Sequence, residues 1–147
     1  MSVSVDQGYF ETREDAIGDI AARDLVPRDG AMASGDLENV HWHETGLAIY
    51  VLKGSFETKD AVSGDLFVAG PGDLITIPPR TLHAARCPDP AEYVVGFESA
   101  EAMQSFRPRT ADELSSARHR NHFHWRHGTG AGHSFPLLRK RGGVWLL

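Results

Sequence analysis

Between residues 46 and 97 the chain alternates short apolar runs with Gly, Pro and Asp, and this texture constrains the fold more than any other feature of its 147 residues. The runs are Leu47–Leu52, Leu66–Ala69, Leu74–Pro78 and Tyr93–Phe97. The breaks are Lys53-Gly54-Ser55, Ser63-Gly64-Asp65, Gly70-Pro71-Gly72-Asp73, Pro78-Pro79-Arg80 and Cys87-Pro88-Asp89-Pro90. Strand-length apolar runs set apart by turn residues predict an antiparallel sandwich or barrel. Parallel strands need crossovers, usually helical, and these breaks leave no room for them. The expected class is therefore all-β, an antiparallel barrel, and the length fits one domain.

The flanks read differently. Residues 1–30 are polar, and the spacing of Ala16, Ile17 and Ile20 predicts a short helical turn. Beyond Met103, Thr110-Ala111-Asp112-Glu113 has the form of a capping box and predicts a helix near 111–120. Gly128-Thr129-Gly130-Ala131-Gly132 is a flexible break, and Val144–Leu147 is either a terminal strand or an apolar end that needs a partner surface. The expected division is a barrel over 1–105 and a C-terminal extension over 106–147.

Charge follows that division. Residues 1–105 hold seven Lys and Arg against 18 Asp and Glu, whereas residues 106–147 hold eight against two. The acidic body excludes nucleic-acid binding through bulk charge. The extension also holds His122-Phe123-His124-Trp125-Arg126-His127, which reads as a surface extension, a second metal site, a strip touching RNA or an anionic surface, or a segment docked on the acidic body of its own or a partner subunit. Cys87 is the sole cysteine, which excludes a disulfide framework. No apolar run nears the roughly 18 residues of a membrane span. The first residues lack a signal pattern. The expectation is a cytoplasmic protein.

The body has only three histidines, His41, His43 and His83. On a strand, residues two apart share a face, so His41 and His43 can grip one ion, with His83 supplied by another strand. Imidazole suits Fe, Mn, Ni, Cu and Zn. Phe56, Phe67 and Phe97 read as core, and Trp42 and Tyr50 as outward-facing packing or interface residues.

These residues also stand in a recognisable order. Gly35 is followed after five residues by His41-Trp42-His43, after three more by Leu47, and after six more by Gly54. Gly72 is followed after five residues by Pro78-Pro79-Arg80, after two more by His83, and after three more by Cys87. This arrangement resembles the two motifs of the cupin superfamily over roughly residues 30–100. The resemblance implies a small jelly-roll barrel with a metal on His41, His43 and His83.

Three positions depart from the family pattern. Leu47 stands where a metal-binding Glu is usual, and its strand parity points it inward. Glu44 could replace that carboxylate only through a bulge at Gly46. Arg80 replaces a Gly and reads as a solvated turn residue or an anion clamp at the barrel mouth. Cys87 replaces an Asn and reads as inward packing or a pocket residue. Leu47, Arg80 and Cys87 are thus the candidate pocket residues. A three-histidine site keeps positions open for substrate or dioxygen.

The expected function is a metal-dependent enzyme, first a non-haem Fe(II) dioxygenase, acting on a small oxygen-rich or thiol substrate. Mn, Ni, Cu and Zn are the alternative metals. The alternative functions are a non-oxidative isomerase, cyclase or lyase, and a non-catalytic ligand-binding or sensor barrel. The expected partners are a small-molecule substrate and a second copy of the chain, with no membrane and no nucleic acid.

Overall fold

The computed structural model describes residues 2–113, 140–141 and 144–145. The element order is β1 (Ser4–Asp6), α1 (Arg13–Ala22), β2 (Val26–Met32), β3 (Leu37–His41), β4 (Leu47–Asp60), β5 (Leu66–Ala69), β6 (Leu74–Ile77), β7 (His83–Phe97), α2 (Ala100–Gln104), β8 (Lys140–Arg141) and β9 (Val144–Trp145). The main sheet runs β1-β6-β4-β7-β2, with β3 also on β7 and β5 also on β4. Its pairings are antiparallel throughout. β8 and β9 pair as a separate ribbon. Among the described residues no helix is long and apolar enough to cross a membrane.

β5 occupies the predicted run Leu66–Ala69, and β6 ends one residue short of Pro78. The other two runs became much longer strands. β4 continues through Lys53-Gly54-Ser55, and β7 begins ten residues before Tyr93 and passes through Pro88 and Pro90. The reason is that these two breaks face each other. Lys53 pairs with Glu92 and Ser55 with Asp89, and the register shifts on either side of both pairs. Such irregularities bend a strand and raise its twist without ending it. Gly54 has φ +81°, and a Cβ there would run into the Pro90 carbonyl. Only glycine lets the two backbones pass so closely.

β4 is buried on both faces over residues 47–51, so period-two alternation is invisible there. Leu47, Ile49 and Val51 point inward with Phe56, Val95 and Phe97. Ala48 and Tyr50 point outward and are buried with Ala16 and Ile20 of α1. Helix α1 is started by a capping box. Asp15 N–H donates to Thr12 Oγ1 at 3.1 Å, and Thr12 N–H donates to Asp15 Oδ2 at 3.1 Å. Tyr50 donates its hydroxyl to Asp19 Oδ2 at 2.6 Å, pinning helix to sheet.

The C-terminal segment returns over the barrel. Trp42 and Arg109 exchange backbone hydrogen bonds of 3.0 and 2.8 Å. Trp42 Nε1–H donates to the Thr110 carbonyl at 2.7 Å. Trp42 is therefore an outward packing residue, capped by this segment. The predicted Thr110 box forms, with Glu113 N–H reaching Thr110 Oγ1 at 3.4 Å and Thr110 N–H reaching Glu113 Oε1 at 3.2 Å. Helical backbone begins at residues 111–113. The remainder of that helix, the histidine-rich stretch 122–127 and the glycine break lie outside the described residues.

Candidate metal centre

The three body histidines meet at the junction of β3, β4 and β7. His83 opens β7 and pairs on one side with His41 at the end of β3 and on the other with Asp60 at the end of β4. His43 lies just past β3 in the chain, and its carbonyl accepts the Arg80 N–H at 2.8 Å, which ties the two histidine-bearing segments together. The ring centroids are 4.9 Å (His41 to His43), 4.3 Å (His41 to His83) and 4.8 Å (His43 to His83) apart. One ligand atom from each ring lies within 4.8 Å of the other two.

Two of the rings are oriented by backbone carbonyls. His41 Nδ1 lies 2.6 Å from the Asn39 carbonyl and His83 Nδ1 lies 2.7 Å from the Thr81 carbonyl. A carbonyl can only accept, so Nδ1 is the donor in each, and the nitrogen left to offer a metal is Nε2. This is the usual support of a metal-bound histidine. Burial, and then the neighbouring histidines, push His43 down to about 2. Burial, and then His41, push His83 down to about 3, against the opposing pull of the Thr81 carbonyl and Asp60. Both are neutral donors at physiological pH, as a divalent transition metal requires. The donor set fits such an ion.

A cavity of about 190 Å³ opens beside the cluster, walled by Leu47, Ile49, Ile77, Val95 and Phe97 and edged by Arg28, Glu38 and Tyr93. Its volume is small against the roughly 300–1,000 Å³ of drug-sized sites. Phe106 and Pro108, the first residues of the expected extension, also line it. The Phe106 ring sits 4.9 Å from that of His43.

Of the pocket candidates, Leu47 lies where its parity placed it, in the cavity wall. Glu44 turns away and pairs with Arg80 at 3.4 Å, with both side chains about half exposed. Arg80 is thereby occupied outside the cavity lining. Its φ of +59° is a left-handed conformation that glycine adopts at no cost. Cys87 does face the barrel interior, but it packs with Sγ 3.7 Å from Met32 Sδ and is absent from the cavity wall. Burial pushes its thiol up to about 11, so it remains a neutral packing group. The motif reading missed Glu38, whose Oε1 is 3.9 Å from His41 Nε2, and Arg28. Glu38 stands three residues before His41 on a strand with a bulge between them, so simple alternation did not bring the two together. It also missed Asp60, buried behind His83 and accepting from Val3, Val62 and Ser63 N–H groups.

The described residues thus form an antiparallel β-barrel with three histidines converging beside a cavity. Residues 30–97, a little under half of the chain, match the family model of the cupin domain. A solved RmlC-like cupin from Shewanella frigidimarina is 26% identical, with a TM-score of 0.46, covering 54% of this chain and 70% of its own. The DMSP lyase DddQ from Ruegeria pomeroyi is 23% identical, with a TM-score of 0.50, covering 59% of this chain and 43% of its own. A salicylate 1,2-dioxygenase from Pseudoaminobacter salicylatoxidans, in complex with gentisate, is 13% identical, with a TM-score of 0.48, covering 58% of this chain and 24% of its own. No curated protein matches the chain. The likeness to the solved structures is one of fold.

Proposed function

We propose that the chain is a metal-dependent cupin enzyme acting on a small oxygen-rich or thiol substrate, with Fe(II) held by His41, His43 and His83. The observation that carries this reading is three converging histidines beside a partly enclosed cavity, with apolar Leu47 at the position of the family's carboxylate. When bound, a ferrous ion supplies Lewis acidity and redox chemistry toward dioxygen. His41 and His83 are oriented by the Asn39 and Thr81 carbonyls to present Nε2. Leu47, Ile49, Ile77 and Val95 give the cavity an apolar wall. Three neutral ligands leave the centre more positive than a set containing a carboxylate would, which favours an anionic, chelating substrate. A dioxygenase is the first reading for that reason.

Glu38 favours a second reading. Its carboxylate is at the cavity edge and is the group best placed to accept a substrate proton. A non-oxidative isomerase, cyclase or lyase would use it. The test is elemental analysis of untagged protein with oxygen uptake on a panel of diketones and thiols. Stoichiometric iron with oxygen uptake supports the dioxygenase, and turnover without oxygen uptake supports the second reading. His83→Ala should lose the metal, since two imidazoles cannot replace three. Unchanged metal content in that variant would sink the site.

A further inference from the structure

We propose that Arg28 is the carboxylate-binding residue of this cavity, and that the substrate is a small monocarboxylate anchored by its other end at the histidine cluster. The proposal deepens the metal-site reading by naming the substrate class. Its own test does not depend on the metal.

Four observations converge on Arg28. The first is direction. On β2, Arg28 pairs with Val95, and Val95 faces the barrel interior. Paired residues on neighbouring antiparallel strands share a face, so Arg28 is a charged residue on an inward face. The second is availability. Among the described residues Arg13, Arg23, Arg80, Arg86, Arg107 and Arg109 each hold a carboxylate. Arg28 has no carboxylate within ion-pair distance among them, although it is exposed enough to meet a ligand.

The third observation is support. The guanidinium carbon lies 4.7 Å from the Phe97 ring centroid and 5.4 Å from that of Phe106. Stacking on two rings holds the fork in one place and leaves its N–H edges free for a planar bidentate acceptor. The fourth is position. Phe106 also packs on His43, so the guanidinium is one aromatic ring away from the cluster. Arg28 and Phe106 lie on either side of the residues matching the cupin model, so this device belongs to the chain rather than to its shared motifs.

The surrounding charges select a monoanion. Asp29 is taken by Arg13 at 2.8 Å, while Glu38 remains at the cavity edge with 54% of its side chain exposed. A single free guanidinium beside a carboxylate suits one negative charge and disfavours a phosphate dianion.

The experiment is calorimetric titration of wild-type, Arg28→Gln and Arg28→Lys protein with lactate, 3-mercaptopropionate and salicylate, each beside its neutral amide, and with inorganic phosphate. It is run with and without added Fe(II) under anaerobic conditions. At least one carboxylate should bind wild-type protein about ten- to a hundredfold tighter than its amide, the scale of a charge-assisted pair. Arg28→Gln should bring that ratio to about one with amide affinity unchanged, and Arg28→Lys should recover part of it. No carboxylate preference in wild-type protein, tighter phosphate binding, or an equal loss for acid and amide would each overturn the proposal. Failure to bind iron with the ratio intact would overturn the metal site and leave Arg28 standing.

Discussion

The two faces of β4 are both buried, yet they do opposite things. Outward, Ala48 and Tyr50 are sealed under Ala16 and Ile20 of α1, and the Tyr50–Asp19 hydrogen bond closes the seam. Inward, Leu47 and Ile49 belong to a core that stops short of filling its volume and leaves the cavity beside the histidines. The difference teaches that burial alone does not mark function. The helix side completes its packing and contributes stability. The barrel side leaves a void lined by three histidine rings, and on the proposed reading that void receives the substrate.

The comparison can be broken from the inside first. Leu47→Glu places a carboxylate in an apolar wall, which costs several kcal/mol when the group is unpaired. Thermal unfolding should show a large loss in metal-free protein and recovery on adding a divalent metal. Equal melting temperatures with and without metal would remove position 47 from the site. From the outside, Ile20→Ala should cost about 2–5 kcal/mol in chemical denaturation, with metal content unaltered. Loss of metal in that variant would mean that the two faces are not independent.

Acid separates them by charge. Unfolded histidine titrates near 6.5, but burial, then the neighbouring histidines, hold folded His43 near 2, and burial, then His41, hold folded His83 near 3. Below about 6.5 the unfolded chain takes up protons that the folded chain refuses, so stability falls as pH drops toward about 3 and is level above neutrality. Melting curves of metal-free protein across pH 4–8 should follow this slope, and His43→Gln should flatten it. The smallest expected effect is at the turn before His83. Arg80→Gly relieves a left-handed conformation worth about 1–2 kcal/mol and loses an exposed ion pair worth about 0–1 kcal/mol. It should be neutral to slightly stabilising, with carboxylate binding intact. A loss of carboxylate binding there would return the anion clamp to Arg80.

Particular residues show how far the sequence could be read. His41, His43 and Leu47 were legible because their spacing is local and strand parity converts it directly into a shared face, and His83 because it is the body's one other histidine and stands in the second motif. Phe56 and Phe97 were legible as core for the same reason. The long courses of β4 and β7 were not, because Gly54 and Pro90 read as ends until they are seen opposite each other. β2 was missed because Val-Pro-Arg-Asp-Gly-Ala-Met contains three turn-forming residues. Seven paired positions with β7 hold it extended, and the Tyr93 ring covers the place where a Gly30 side chain would stand.

The sequence by itself determined the barrel class, the histidine triad and the apolar residue at position 47, since each follows from residue type, strand parity and the order of the two motifs. Tertiary structure alone decided that Arg28 lacks a carboxylate partner among the described residues. Arg80 sits in the motif but is held by Glu44, whereas Arg28 is distant in sequence and is brought to the cavity by pairing with β7. Strand pairing joins residues that spacing cannot relate, and charge neutralisation depends on which of them end up within reach.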